Sequence, residues 1–93
     1  MEESYSYPLD LDWSQSEMVV VMEMWQVLED VYEKGVEKEA FLSVYKKFKT
    51  VVKSIGEERQ LGKDFEAASG YSLYRTVQEA KKTPGTILKM KGA

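Results

Sequence analysis

The stretch WSQSEMVVVMEMWQVLEDVYEKG, Trp13 to Gly35, carries both ends of a long helix and an unusually broad apolar surface. Ser14 and Glu17 have the Ser-x-x-Glu spacing of a capping box, in which each side chain takes up a backbone N–H that the first helical turn leaves orphaned. Trp13 and Met18 stand where a hydrophobic staple would clip the entering chain. Gly35 supplies the left-handed turn that closes a helix at its other end. A helix from Ser14 to about Lys34 follows. With Met18 at 0° and about 100° per residue, Met18, Val21, Met22, Trp25, Leu28 and Tyr32 fill one sector, and Val20, Met24, Val27 and Val31 the next, an arc about 220° wide. An ordinary surface helix shows a stripe of about 100°. This helix is therefore expected either to be central and packed on several sides, or to lend a face to a second subunit. Val20, Met24, Trp25, Val27 and Val31 are the candidate interface.

Three shorter helices are expected beyond it. Phe41, Val44, Tyr45, Phe48 and Val52 form a narrow stripe over about 38–52, with Lys46, Lys49 and Lys53 on the opposite side. Ser54 and Glu57 offer a second capping box, ahead of a thin stripe of Leu61, Phe65 and Ala68 that Gly56 and Gly62 weaken and Gly70 ends. Ser72 caps a fourth helix to about Lys82, with Leu73, Val77 and Ala80 inward and Lys81 and Lys82 suited to its negative end; Pro84 and Gly85 stop it. The predicted class is all-α: about four short helices in an irregular array.

The flanks lack helical periodicity. Pro8 turns Tyr7 away from helical backbone. Tyr5, Tyr7, Leu9, Leu11 and Trp13 alternate at period two but have no second strand to pair with, so residues 1–13 are expected to form an extended N-terminal arm lying on the helices. Residues 86–93 show no clear period and are expected to fray.

Ninety-three residues suffice for a single helical domain, 1–93. The absence of His and Cys excludes imidazole acid/base chemistry, thiolate chemistry, Ser-His and Cys-His nucleophile pairs, disulfides and zinc sites of the usual kinds. A non-enzymatic protein is expected, with no catalytic, cofactor or metal residues; a carboxylate-based enzyme remains the weaker alternative. No apolar run approaches the length of a membrane span, and the acidic start lacks the basic region of a signal peptide, so a cytoplasmic location with no membrane partner is expected. Residues 1–33 hold nine acids and no Lys or Arg; the remainder holds seven acids and all thirteen basic residues. The two charge sets either compensate within the fold or face different partners.

Individual clusters carry little specific chemistry. Asp10 and Asp12 lack the further oxygens a hard cation requires. Glu29, Asp30 and Glu33 lie at the helix end whose dipole disfavours acids, so a basic group is expected beside them, preferably Lys34, Lys38 or a lysine of another helix and otherwise one of a basic partner. Tyr45-Lys46-Lys47-Phe48-Lys49 mixes stacking and phosphate-binding side chains, but a helix points the aromatics inward and the lysines outward, and the acidic pI opposes nucleic acid. Ser69-Gly70-Tyr71-Ser72 reads as a corner between helices with Tyr71 packed beneath it.

Tyr7-Pro8-Leu9 with Asp12-Trp13-Ser14, Tyr32-Glu33-Lys34-Gly35-Val36, Tyr45 with Phe48-Lys49, and Ser69-Gly70-Tyr71-Ser72 with Tyr74-Arg75 occur in this order. Their order and spacing resemble the YktA-like family of uncharacterised proteins from Bacillus and related Gram-positive bacteria, over about residues 5–82. The family pattern commonly carries proline where Lys53 stands, and its loss leaves that turn less rigid. The resemblance implies a short, cytoplasmic, all-helical protein with a structured arm, and supplies no catalytic residue. The functional expectation is a protein-interaction module, self-associating or binding another protein through the first helix. The alternative is a regulator touching nucleic acid through Lys46, Lys49, Lys53, Lys81 and Lys82.

Overall fold

The computed structural model of the chain describes residues 7–91. Four helices follow in order: α1 (Gln15–Glu33), α2 (Lys38–Val51), α3 (Ile55–Ser69) and α4 (Leu73–Lys82). A two-residue antiparallel ladder joins β1 (Val36–Glu37) to β2 (Ile87–Leu88). The fold is thus mostly all-α.

The local signals explain the helix ends. The Glu17 N–H donates to Ser14 Oγ at 3.2 Å and the Ser14 N–H to Glu17 Oε1 at 2.9 Å, the full box. Ser54 accepts from the Glu57 N–H, one leg of the second box, and Ser72 accepts from the Arg75 N–H. Gly35 and Gly70 close α1 and α3 with φ of +89° and +84°, a region a side chain strains to enter.

Packing then sorts the broad arc of α1. Val21, Met24, Trp25, Leu28 and Val31 are buried, a sector about 120° wide at the ideal helical step. Every other member of the arc is half-buried. Trp25 is the hub: its ring stacks on Phe65 of α3 at 4.7 Å and meets Phe48 of α2 edge-on at 5.6 Å. Phe41, Val52, Leu73, Val77, Ala80 and Leu88 complete the core. On α3 only Phe65 is fully buried; Leu61 is partly covered and Ala68 is exposed, so that stripe is thinner than its spacing predicts.

Both flanks differ from expectation. In the arm, Tyr7, Leu9 and Trp13 pack on the core, and the Trp25 indole N–H donates to the Pro8 carbonyl at 3.2 Å. Leu11 does not join them. A turn closed by the Trp13 N–H on the Asp10 carbonyl throws it outward. Tyr5 lies outside the described residues. The expected fraying of 86–93 is corrected over 86–90: Thr86 accepts from the Lys38 N–H, Leu88 is buried opposite Val36, and the Met90 N–H caps the Val31 carbonyl near the end of α1. A two-residue strand is too short to leave a periodic signature; residues 92–93 lie outside the described range.

Candidate functional site

The corner between α3 and α4 sets up a concavity. Ser69 Oγ donates to the Phe65 carbonyl and accepts the Tyr71 N–H, and Gly70 takes the left-handed turn. Tyr71 stacks on Tyr32 at 4.4 Å, and the Ser72 N–H donates to the Tyr32 hydroxyl, which fixes the start of α4 against α1. Gly62 faces Leu73 across the α3–α4 contact with room for a methyl group. Between the two helices, with α2 as the third wall, lies a groove of about 690 Å³. That volume falls within the range of ordinary ligand pockets, roughly 300–1,000 Å³.

Its wall has three kinds of side chain. Leu73, Val77, Ile55 and Tyr74 give it apolar surface, and Ile55 and Tyr74 remain 64% and 72% exposed. Arg59, Lys63, Arg75 and Lys81 bring positive charge, and no ion pair among the described residues engages them. At the α2 wall, Glu58 accepts from Tyr45 Oη at 2.7 Å and pairs with Lys49, whose ammonium also lies 5.8 Å from the Tyr45 ring centre. Burial first, then the hydrogen bond to Glu58, pushes the Tyr45 phenol well above its ordinary value, so at neutral pH it is a donor and not a base. Glu66 is the remaining acid on the wall. The arrangement can hold an apolar body by its floor and an anionic group by its rim.

The residues singled out in the sequence are redistributed. Met24, Trp25 and Val31 have no exposed surface, and Val20 and Val27 are half-buried. Met24, Trp25 and Val31 are therefore withdrawn from the expected first-helix interface, because packing within the chain covers them, while Val20 and Val27 keep part of their surface. The lysine stripe is also corrected. Lys46 and Lys53 are exposed, but Lys49 is half-buried and held by Glu58. Lys81 joins the groove and Lys82 does not line it. Tyr45, expected to face away from the cations, shares the groove wall with Lys49, because α3 packs beside that edge of α2. Arg59, Lys63, Tyr74 and Arg75 were not singled out as a surface. The signal for them was Tyr74, a large aromatic on the outward side of the Leu73–Val77–Ala80 stripe.

The acids at the end of α1 are met by phenols rather than by the expected lysines. Tyr7 Oη donates to Glu29 at 2.8 Å and Tyr71 Oη to Glu33 at 3.1 Å. Lys38 instead donates to the Thr83 carbonyl. Burial and then Glu29 push Tyr7 up to about 12; burial and then Glu33 raise Tyr71. Asp10 accepts the Asp12 N–H and serves the turn, and no group of three or more metal-ligating side chains occurs among the described residues. None of the described helices is long and apolar enough to cross a membrane.

The sequence matches the Uncharacterised protein family (UPF0223) over residues 4–89. It is 58% identical over 86 residues to the UPF0223 protein of Enterococcus faecalis, covering 92% of this chain and 94% of the relative. It is 53% identical over 81 residues to the UPF0223 protein YfdD of Lactococcus lactis, covering 87% of each. A Bacillus cytotoxicus UPF0223 protein is 47% identical over 79 residues, covering 85% of this chain and 89% of the relative. All three organisms are Gram-positive bacteria.

Proposed function

The chain belongs to the UPF0223 family, whose description names no activity, and from its surface we propose that it is a non-enzymatic protein-interaction module of the cytoplasm whose docking surface is the α3–α4 groove. One observation carries the reading. Ile55 and Tyr74 stand in water inside a frame of four cations, next to an apolar wall of Leu73 and Val77. Exposed apolar side chains set together in a concavity with a charged rim are the usual form of a binding site. Tyr74 is a good anchor, since aromatic residues contribute heavily to interface energy at low entropic cost.

Affinity capture from the native cell with wild-type protein and Tyr74→Glu as baits tests this. Tyr74 is exposed, so the variant is expected to melt as wild type does. A partner held by wild type and lost by Tyr74→Glu supports the reading. Identical recoveries refute it.

A second reading is favoured by the same groove bringing Tyr45 and Tyr74 beside cations, as a single-stranded nucleic-acid surface does. It requires steeply salt-dependent binding of an oligonucleotide. The net charge of −3 and the two acids in the groove wall favour the first reading.

A further inference from the structure

We infer that the occupant of the groove is a second copy of this chain, docked through the acidic outward face of its first helix and the turn ahead of it. The inference rests on the groove being a docking surface.

Of the five large apolar side chains that remain well exposed, Ile87 lies on the β-ladder and the other four fall into two charged settings. Leu11 and Val19, 88% and 59% exposed, sit at the amino-terminal end of α1. Asp10 and Asp12 flank Leu11, and Glu23 follows Val19 by one turn on a face that continues to Asp30 and Glu33. Ile55 and Tyr74 sit among the four cations of the groove. One surface is acidic with two apolar side chains, and the other is basic with two apolar side chains.

The described residues do not use this complementarity among themselves. Among the described residues the ion pair is Lys49–Glu58, and both of its members come from the basic portion of the sequence. Asp12, Glu23, Asp30 and Glu33 contact no Lys or Arg closely enough to pair, nor do Arg59, Lys63, Arg75 and Lys81 contact an acid. Asp30 and Glu33 also stand at the negative end of a helix dipole, an arrangement that costs the isolated fold and that an incoming cation relieves. Asp12, Glu23, Asp30 and Glu33 thus present one chain's acidic surface to another chain's basic groove.

The contact is unlike-to-unlike. It closes as a two-fold dimer only if each copy fills the other's groove, and otherwise it grows head to tail. Rim charges of this kind govern association rate and salt response more than raw affinity, so a weak, salt-sensitive association is expected.

Sedimentation equilibrium with two charge-reversed variants tests it: Lys63→Glu with Arg75→Glu in the groove, and Asp12→Lys with Glu23→Lys on the acidic face. All four side chains are exposed. Wild type should associate at about 0.5 mM in low salt and weaken about tenfold as added salt shortens the screening length. Each variant alone should be monomeric, and an equimolar mixture should restore a one-to-one complex, because the reversed face fits the reversed groove. A wild type that stays monomeric, or association unchanged in both variants, overturns the inference. Loss of a captured partner in Tyr74→Glu from a monomeric wild type overturns the second-copy inference and leaves the groove reading standing. Oligonucleotide binding to a monomer that shifts the Tyr74 resonances overturns it in favour of nucleic acid.

Discussion

Truncating Phe65 to alanine tests the packing on which the groove stands. Phe65 is the one fully buried side chain of α3. Its ring stacks on Trp25 at 4.7 Å with an 18° tilt, and the Tyr7 ring approaches it at 6.0 Å. Phe→Ala in a core costs about 3–5 kcal/mol from lost transfer energy and the cavity left behind, and the stacked pair contributes about 1 kcal/mol of that beyond area burial. A chain of this length is expected to have a total stability of roughly 5–14 kcal/mol. Phe65→Ala should therefore lower the urea midpoint by about 2–4 M and Tm by roughly 15–30 °C. Leu61→Ala, on the same helix but only half-covered, should cost about 1 kcal/mol. Urea titration followed by far-UV circular dichroism and by Trp fluorescence measures both. A Phe65→Ala loss under about 1 kcal/mol, or one equal to that of Leu61→Ala, refutes the assignment of Phe65 as the residue that docks α3 onto α1.

Gly62→Ala should raise stability by about 1 kcal/mol, since it improves helix propensity and its Cβ meets Leu73 at 3.8 Å, an ordinary contact; an unchanged or lowered Tm contradicts this. Leu88→Ala should cost about 2–4 kcal/mol and speed hydrogen exchange at the Lys38 amide, which donates to Thr86; a freely exchanging Lys38 amide in the wild type would mean the ladder is not formed. Stability should fall with pH above about 10. Tyr7, pushed up to about 12, and Tyr45 and Tyr71, also raised, keep their protons in the folded chain while the unfolded chain loses them, so their contribution is full below the unfolded value and is lost as pH rises through the folded ones. Alkaline urea titrations should show a shallower decline for Tyr7→Phe than for wild type; equal slopes contradict the Tyr7–Glu29 hydrogen bond.

The helix boundaries could be taken from the sequence because the interactions that set them span only three or four residues. Ser14 with Glu17, Ser54 with Glu57 and Ser72 with Arg75 are complete within one turn. Gly35 and Gly70 act through their own φ. The inward stripe of α4 was likewise a matter of spacing. The width of the α1 arc was also correct as a property of the helix. Its reading as an interface does not hold for Met24, Trp25 and Val31, which packing within the chain buries, because the amount of apolar surface says nothing about which neighbour covers it.

The same separation holds across the whole chain. Composition and periodicity pointed to about four helices, their caps and a broad apolar arc on α1, since backbone hydrogen bonding and side-chain spacing act locally. Long-range packing chose the partners. Tyr7 reaches Glu29 across 22 residues and Tyr71 reaches Glu33 across 38, in place of the lysines that charge alone would select. Leu88 finds Val36, and α3 and α4 converge to place Ile55, Tyr74 and four cations around one groove. Those outcomes depend on how whole helices settle against Trp25 and Phe65, where the burial of large rings outweighs the small energy of any exposed charge pair.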